Sequence, residues 1–329
     1  MNDLSLADIT AAAKRVAPHV IRTPLLPSRA LSELLGTRVS IKYEFLQETS
    51  SFKPRGAFNK ILTMSGEERA RGLLAVSGGN HGKAVAFAAR ALGLSARIIM
   101  FESTAPSAVA AARAYGAQVD LLPSPAAGFA RARELEAEGY SFIHPYADPE
   151  VVAGQGTLGL EILTDAPDTT DVIASIGGGG MIGGVALAIK ERRPAARVWG
   201  VETVGADAMS QALAAGKIVE LATITSIAAT LGAPAVCALT LGLAQRYLND
   251  VLVRPDAEAV ADLIWLLDHA KVLVEPAAAV TLSAARQLGA RLTPGGHLVI
   301  ILCGASMSMA ELAVFRKQLE MEGGTYDPR

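Results

Sequence analysis

A lysine in an unusual position is the first residue of this sequence that could do chemistry. Lys53 stands in the segment SFKPRGA, directly before Pro54. Proline is favoured at the first position of a helix, because its missing N–H needs no partner there, so the segment predicts a helix that begins at Pro54. The positive end of the helix dipole disfavours a lysine cation and would lower the pKa of Lys53, making it a nucleophilic amine. A solvated surface lysine is an equally weighted alternative.

A run of glycines at residues 177–184 (GGGGMIGG) is the second feature, and it follows a predicted strand and opens a predicted helix. At such a junction free N–H groups and the helix dipole favour an anion, so phosphate binding is the leading interpretation. Two alternatives stay open. Gly178, Gly180 and Gly183 formally match G-x-G-x-x-G, with Glu202 nineteen residues later, as in dinucleotide sites. A tight turn without a ligand is the other alternative.

A second glycine-rich turn, SGGNHG at residues 77–82, also joins a predicted strand to a predicted helix. By itself it is a polar turn, and we interpret His81 as a buried histidine with satisfied hydrogen bonds rather than a base, since no carboxylate partner is evident. Cys303 ends a predicted strand and by itself is interpreted as a buried, inert thiol. The sequence contains neither a cluster of His and Cys suited to a metal nor a G-x-S-x-G motif.

These turns must be held in place by the elements around them. Apolar β-branched runs alternate with alanine-rich stretches through most of the chain, which is typical of βαβ units around a parallel sheet. The predicted strands are residues 39–43, 73–76, 96–100, 118–122, 171–176, 198–202 and 297–303. The predicted helices include residues 82–92, 107–115, 129–137, 181–192, 257–268 and 277–288. The pattern predicts an open, doubly wound α/β fold, with a loosely held tail at residues 322–329.

The composition excludes several classes of protein. Of the 329 residues, 51% are hydrophobic and 19% are charged, with a formal net charge of −2. We therefore expect neither disorder nor binding to nucleic acid or a membrane. The only two cysteines, Cys237 and Cys303, lie far apart and form no CxxC motif, which favours a reducing compartment. The N-terminal residues lack the basic and apolar pattern of a signal peptide. We expect a cytoplasmic protein.

Taken in order, the motifs resemble those of one enzyme family. Residues 42–57 (KYEFLQETSSFKPRGA) resemble the lysine motif of the serine/threonine dehydratases, which are pyridoxal 5'-phosphate (PLP) enzymes of fold type II, the tryptophan-synthase-β-like group. The further matches are SGGNHG at 77–82, AGQGT at 153–157, GGGGM at 177–181, VEP at 274–276 and LCG at 302–304. The resemblance implies two lobes, each an open, twisted, mostly parallel sheet flanked by helices. It places a large PLP-binding domain at 1–64 and 148–329 and a small domain at 65–147.

The resemblance also implies a role for each matching residue. Lys53 would bind PLP as a Schiff base and later act as the base at the substrate Cα. The other residues implied to bind the cofactor are Phe52 along the ring, Asn80 at the 3'-oxygen, Gly177, Gly178, Gly179, Gly180 and Met181 around the phosphate, Glu275 near the ring and Cys303 at the pyridine nitrogen. Ser77, Gly78, Asn80 and His81 would receive the substrate carboxylate. A neutral thiol at Cys303 would leave the ring nitrogen unprotonated and favour prompt β-elimination.

The implied reaction is β-elimination of L-threonine, L-serine or a close analogue to a 2-oxo acid and ammonia. The chain departs from the family pattern at residues 304–306 (GAS instead of GGN), at residues 227–230 (IAAT where racemases have IADG) and at Tyr146, so phenylserine or 3-hydroxyaspartate is an alternative substrate. An amino-acid racemase is the same-fold alternative, which Gly78 disfavours because serine racemase has a proton-donating serine there. A nucleotide-dependent oxidoreductase and an inactive amino-acid-binding protein are the alternatives from other classes.

Two further expectations concern partners. Relatives that bind a divalent cation use a carboxylate at the position of Ala208, so no metal is expected here. A homodimer is expected from the family resemblance alone.

Overall fold

The computed structural model describes residues 4–321, in which helices and strands alternate as the sequence predicts. The strands are β1 (Leu25–Pro27), β2 (Arg38–Lys42), β3 (Leu73–Val76), β4 (Ala96–Phe101), β5 (Gln118–Leu122), β6 (Ser141–Phe142), β7 (Asp171–Ser175), β8 (Arg197–Thr203), β9 (Asp250–Arg254) and β10 (His297–Ile301). The α-helices are α1 (Leu6–Val16), α2 (Arg29–Leu35), α3 (Pro54–Thr63), α4 (Gly66–Ala70), α5 (Asn80–Ala91), α6 (Pro106–Ala114), α7 (Pro125–Ala137), α8 (Pro149–Asp165), α9 (Gly180–Arg192), α10 (Ala208–Ala215), α11 (Ala238–Tyr247), α12 (Asp256–Trp265), α13 (Pro276–Leu288) and α14 (Met309–Met321). The tail at 322–329 lies outside the described residues.

Two separate sheets form the framework. The larger has the strand order β1-β2-β10-β7-β8-β9 and the smaller the order β5-β4-β3-β6. Neighbouring strands are parallel throughout, except that β1 runs antiparallel to β2. The predicted α/β class with open, mostly parallel sheets is therefore confirmed. The smaller sheet is formed by a segment inserted between strands of the larger one, and the boundaries 1–64, 65–147 and 148–329 stay a prediction.

The strands that the sequence did not predict are β1, β6 and β9, and all three lie at sheet edges. Two of them have only three and two residues, too few for a periodic pattern to stand out. The third, DVLVR, is flanked by charges that resemble a loop. Short and charged edge strands are common because they discourage pairing with another chain, and the same properties hide them from pattern reading.

The core of the larger sheet lies at its central strands. Every residue of β7 and β10 is buried, as expected when helices cover both faces of a parallel sheet. Within residues 4–321, no helix is both long and apolar enough to cross a membrane.

The start of α3 is held by direct contact with α8. A Cβ atom added at Gly154 would lie 2.7 Å from the Gly56 Cα atom. Such close approach of two helix backbones is available only to glycine. The AGQGT motif at residues 153–157 therefore has a packing role, which is to let α8 support the segment that carries Lys53.

A buried cluster of charges connects β2, α3 and α8. Arg55 is fully buried, and its guanidinium donates to Glu44 Oε1 at 2.5 Å and to Glu161 Oε1 at 2.7 Å. Lys42, also fully buried, donates to Glu161 Oε2 at 2.5 Å and to the Thr23 carbonyl at 2.7 Å. Burial would lower the pKa of Arg55, but Glu44 and Glu161 raise it above its ordinary value. The two cations and two carboxylates thus neutralise one another.

Arg55 should be essential for stability because of this cluster. Replacing Arg55 with Met leaves Glu44 and Glu161 without their main partner in the interior, which costs about 3–5 kcal/mol for a buried pair. The denaturant midpoint of the Arg55→Met variant should therefore fall well below that of the unmodified protein. Arg29→Met is the matched control, since Arg29 pairs with Glu33 on the surface and exposed pairs contribute little. Equal midpoints for the two variants would contradict the prediction.

Candidate active site

Lys53 lies between the two sheets, immediately before α3, where it is the N-cap residue. Its amine donates to the Pro145 carbonyl at 3.2 Å and lies 5.0 Å from the centroid of the Phe52 ring. Burial lowers the pKa of Lys53 to about 8, against the opposing effects of Cys303 and Glu275. From the sequence we predicted that the helix dipole lowers the pKa of Lys53, whereas burial is the main cause in the structure. About a tenth of this amine is neutral, and hence nucleophilic, at pH 7, whereas an ordinary lysine has only a few neutral amines in about ten thousand.

Backbone contacts join the Lys53 segment to the end of β10. The Phe52 N–H donates to the Cys303 carbonyl at 3.0 Å, and Ser51 forms an antiparallel bridge with Gly304. The Ala305 N–H then donates to the carbonyl of Ser50 at 2.9 Å. Lys53 and Cys303 are far apart in the chain, and these bonds make them neighbours, as the family resemblance implied.

The glycine run between β7 and α9 forms an open helix start. Gly179 precedes α9 with φ of +86°, a left-handed conformation that favours glycine. Gly178 packs against the Tyr146 ring, leaving no space for a side chain. The Tyr146 hydroxyl donates to the Ala235 carbonyl at 2.8 Å, which holds the ring in place. The N–H groups at the start of α9 would suit an anion, and phosphate binding by this turn stays a prediction.

Glu202 does not have the position that a dinucleotide site requires. Its carboxylate is fully buried and accepts from the Met209 N–H at 2.9 Å, the Ser210 N–H at 2.8 Å and the Ser210 hydroxyl at 2.7 Å. Glu202 therefore stabilises the start of α10 and is not free to bind a ribose. The nucleotide interpretation of the glycine pattern is wrong in this respect.

Among residues 4–321, no three His, Cys, Asp or Glu side chains group as metal ligands would, and the expectation of no metal stays a prediction.

Asn80, at the start of α5, and Glu275, just before α13, meet where segments of the smaller and the larger sheet come together, a region called the cleft below. The Asn80 Nδ2 donates to both Glu275 oxygens, at 3.0 and 3.2 Å, and the Thr230 hydroxyl donates to Oε1 at 2.9 Å. The Ser306 N–H donates to Oε2 at 3.1 Å, while the Ser306 hydroxyl donates to Asn80 Oδ1. Burial raises the pKa of Glu275, and these donors oppose the shift. Ser306 thus makes contacts in place of the family's asparagine.

His81 is buried, but only one of its ring nitrogens has a partner. Its Nε2 lies 2.7 Å from the Ile143 carbonyl and must donate, because a carbonyl only accepts. Its Nδ1 has no hydrogen-bond partner among the described residues, so the expectation of a fully satisfied histidine is wrong. Burial and the nearby Lys53 lower the pKa of His81 to about 3. The ring is therefore neutral, and its free Nδ1 can only accept a hydrogen bond.

Ser77 and Gly78 lie in the turn that precedes α5. The Ser77 hydroxyl accepts from the Gly79 N–H at 3.2 Å, which shapes the turn. Gly78 does not have a positive φ, so conformational freedom is not what requires glycine there. A Cβ atom on Gly78 would instead lie 2.6 Å from the Thr104 hydroxyl oxygen. The turn presents N–H groups at the start of α5.

Cys303 is a neutral thiol at the bottom of the site. It is buried, and its Sγ lies 3.4 Å from the Ser175 hydroxyl. Burial, and then the charge of Glu275, raise the pKa of Cys303 to about 12. The group therefore carries no charge at neutral pH and cannot hold a proton on a neighbouring basic nitrogen as a carboxylate would.

These residues fit PLP on the grounds of chemistry. The site combines a buried primary amine, an anion-binding helix start with glycines that approach closely, and a neutral thiol. Two buried hydroxyls beside Lys53, those of Thr49 and Ser51, have no hydrogen-bond partner within residues 4–321, so the polar groups of the site are not all satisfied by that part of the protein. Such a set of unsatisfied groups is expected where a polar ligand binds. The individual binding roles stay predictions.

Sequence reasoning missed three contributors to this site. Pro145 supplies only a carbonyl, and Thr230 lies in a segment noted only as a departure from the family pattern. Lys83 donates to Ser306 at 2.5 Å across the cleft. For Lys83 there was one signal, its spacing of three residues from Asn80, which places both on one face of a helix.

Comparison with known proteins agrees with the geometry. Residues 16–304 match the family model described as pyridoxal-phosphate dependent enzyme. A putative threonine dehydratase from Sinorhizobium fredii is 38% identical, covering 94% of this chain and 94% of the relative. A phenylserine dehydratase from Ralstonia pickettii is 36% identical, covering 95% and 97%. The crystal structure of the T.th. threonine deaminase superposes with a TM-score of 0.87 at 39% identity, covering 93% of this chain and 99% of that one.

The family model covers more than half of the chain, and both relatives align over nearly their whole length. The motifs that carried the resemblance supply Lys53, Asn80, Glu275 and Cys303 of the site, and AGQGT supports the segment of Lys53. The chain belongs to the pyridoxal-phosphate-dependent enzymes of the serine/threonine dehydratase family.

Proposed function

We propose that this protein catalyses the PLP-dependent β-elimination of a 3-hydroxy amino acid, with L-threonine as the first candidate, to a 2-oxo acid and ammonia. The single observation that carries the proposal is the Lys53 amine, with its pKa lowered to about 8, beside the neutral Cys303 thiol. The names of the relatives support threonine as the substrate class.

Each part of the site has a task in this reaction. When bound, PLP withdraws electrons from the substrate Cα, which makes its C–H bond acidic. Lys53 is the residue that would hold the cofactor covalently, and its freed amine takes the Cα proton. The N–H groups of residues 77–81 bind and orient the substrate carboxylate at the start of α5. The glycine turn before α9 would bind the phosphate, and the roles proposed for Phe52, Asn80, Met181 and Glu275 follow from the family resemblance.

The reaction balances without an added oxidant or metal. The Cα–H bond breaks as Lys53 takes the proton, and the Cβ–O bond breaks as the hydroxyl leaves. The hydroxyl takes up one proton to become water, which balances the one proton that Lys53 removed. The electron pair of the C–H bond forms a Cα=Cβ double bond. The enamine that is released then reacts with water to give the 2-oxo acid and ammonia. By the family resemblance Cys303 would lie at the pyridine nitrogen. A neutral thiol there would not protonate that nitrogen and would therefore favour β-elimination.

The departures from the family pattern bear on which substrate side chain the site accepts. Three residues lie where the chain departs from that pattern. Tyr146 packs against Gly178, the Thr230 hydroxyl donates to Glu275 and the Ser306 hydroxyl donates to Asn80. The name of the Ralstonia pickettii relative supports a β-aryl substrate as the second candidate.

We further propose that the protein is a cytoplasmic homodimer. Both cysteines are free thiols, which suits a reducing compartment. The proposal of a dimer rests on family membership.

The proposed function predicts that turnover depends on Lys53. Release of 2-oxo acid should be measured with L-threonine, L-serine, phenylserine and 3-hydroxyaspartate. Lys53→Ala should lower the rate by at least about a hundredfold, because the base at Cα is lost. Lys60→Ala is the matched control, since Lys60 lies on the same helix and pairs with Asp148 at 2.8 Å. A Lys53→Ala variant that turns over at a comparable rate would falsify the proposal.

The lowered pKa of Lys53 predicts how cofactor loading depends on pH. Only the neutral amine can attack the cofactor's aldehyde, and burial lowers the pKa from 10.5 to about 8. The second-order rate of reconstitution of the apoenzyme should therefore rise about tenfold per pH unit below pH 8 and level off above it. Stopped-flow absorbance measures this rate. A rate that climbs steadily up to the ordinary lysine pKa would show that burial does not activate Lys53.

Gly78 predicts that elimination far outpaces racemisation. Racemisation needs a second proton donor on the opposite face of Cα, and Gly78 has no side chain to provide one. Gly78→Ser alone should disturb the turn, because its Cβ would meet the Thr104 hydroxyl. The double variant Gly78→Ser/Thr104→Ala removes that hydroxyl and should raise the D-enantiomer share in leftover substrate. Chiral chromatography measures the share, and substantial D-enantiomer from the unmodified enzyme would contradict the argument.

A further inference from the structure

Lys83 is a cation beside the site that the proposed reaction does not use. It lies on α5, three residues after Asn80, so the two side chains share one face of the helix. Lys83 is half-buried, and its amine donates to the Ser306 hydroxyl oxygen at 2.5 Å. Burial lowers the pKa of Lys83, and Glu275 opposes the shift. Lysine is seldom buried without a partner, so a partly buried lysine whose amine reaches across the cleft indicates a specific role.

A chain of hydrogen bonds leads from Lys83 to a buried carboxylate. The Ser306 hydroxyl, which accepts from Lys83, donates to Asn80 Oδ1. The Asn80 Nδ2 then donates to Glu275, at 3.0 Å to Oε1 and 3.2 Å to Oε2. Asn80 and Lys83 come from a helix that follows a strand of the smaller sheet, whereas Ser306 and Glu275 belong to segments next to β10 and α13 of the larger one.

The cation at one end of these hydrogen bonds and the carboxylate at the other favour the same direction of donation. An ammonium group can only donate, so the Ser306 oxygen must accept from Lys83 and its single hydrogen must point elsewhere. That hydrogen is donated to Asn80 Oδ1, which leaves the Nδ2 of Asn80 facing Glu275. A carboxylate only accepts, so Glu275 also favours this amide orientation. Without the cation, the Ser306 hydroxyl would be free to turn away, and the Asn80 Oδ1 would lose the donor that fixes its end of the amide.

We propose that Lys83 is a positioning residue that acts through Ser306 to fix the orientation of the Asn80 amide beside the cofactor site. The inference rests on the proposed function, because Asn80 is a proposed cofactor contact. The proposal is specific to this chain, because Ser306 occupies the position at which the family pattern has asparagine. Lys83 touches neither cofactor nor substrate in this account, and its effect reaches them through the hydrogen bonds of Ser306 and Asn80.

A double-mutant cycle tests the route of this effect. Lys83→Met and Ser306→Ala, singly and together, are compared for the dissociation constant of PLP by absorbance titration and for kcat and KM. Each single variant should weaken cofactor binding about tenfold, the size of one hydrogen bond to a charged group. The double variant should be no worse than the Ser306→Ala variant, because Lys83 acts through Ser306. Independent, multiplying losses would overturn the proposal.

Two further readouts exclude a merely structural role. Glu275 is faced by Lys83, Lys53 and Cys303, and Lys83 acts to lower its pKa. Lys83→Met should therefore move the acid limb of the kcat profile to higher pH, and an unmoved limb would count against the proposal. Arg90→Met on the exposed side of α5 is the control, and should leave binding and the profile unchanged. Thermal unfolding of each apoenzyme shows whether the variants fold.

The binding measurements and the turnover measurements can fail independently of each other. If the unmodified protein binds PLP but does not turn over any 3-hydroxy amino acid, the proposed reaction fails while the binding cycle still tests Lys83. If turnover is confirmed and the cycle shows independent losses, the reaction stands and the inference about Lys83 fails.

Discussion

The buried charge cluster around Arg55 is the constraint on which the site depends. Arg55, Lys42, Glu44 and Glu161 come from three segments, and each would be costly to bury alone. They are neutralised only when β2, α3 and α8 occupy their positions relative to one another. Because Lys53 is two residues before Arg55, the same condition that pairs these charges places the reactive amine. The chemistry of the cleft is therefore tied to correct assembly of the larger sheet.

Most of the fold could be predicted from the sequence because parallel, fully buried strands have a strong signal. The bounds of β3, a fully buried strand, were predicted without error. The bounds of β5 were also predicted, although it is an edge strand without a buried residue, since its run ends at turn residues. The other three edge strands were missed, since β1 and β6 are too short and β9 is too charged to show a period. Such short or charged strands form because a neighbouring strand is already present, and that neighbour is not encoded locally.

The site shows a similar division between local and long-range information. Pro54 correctly indicated that a helix begins after Lys53, and the glycine turns were placed at helix starts. The spacing of Glu202 from the glycines matched a nucleotide pattern, but its carboxylate is occupied by the start of α10. Motif spacing cannot show which partner a carboxylate meets. The role of Lys83 was likewise hidden, because Ser306 is 223 residues away in the chain.

The hydrogen bonds among Lys83, Ser306, Asn80 and Glu275 also have a kinetic consequence. They run between a helix that follows a strand of the smaller sheet and segments of the larger sheet. Any motion that separates the sheets to let product leave must break them, and water must solvate the freed groups. The bonds that organise the closed cleft therefore add to the barrier for opening it. In such an enzyme the rate of opening can limit turnover even when proton transfer is fast.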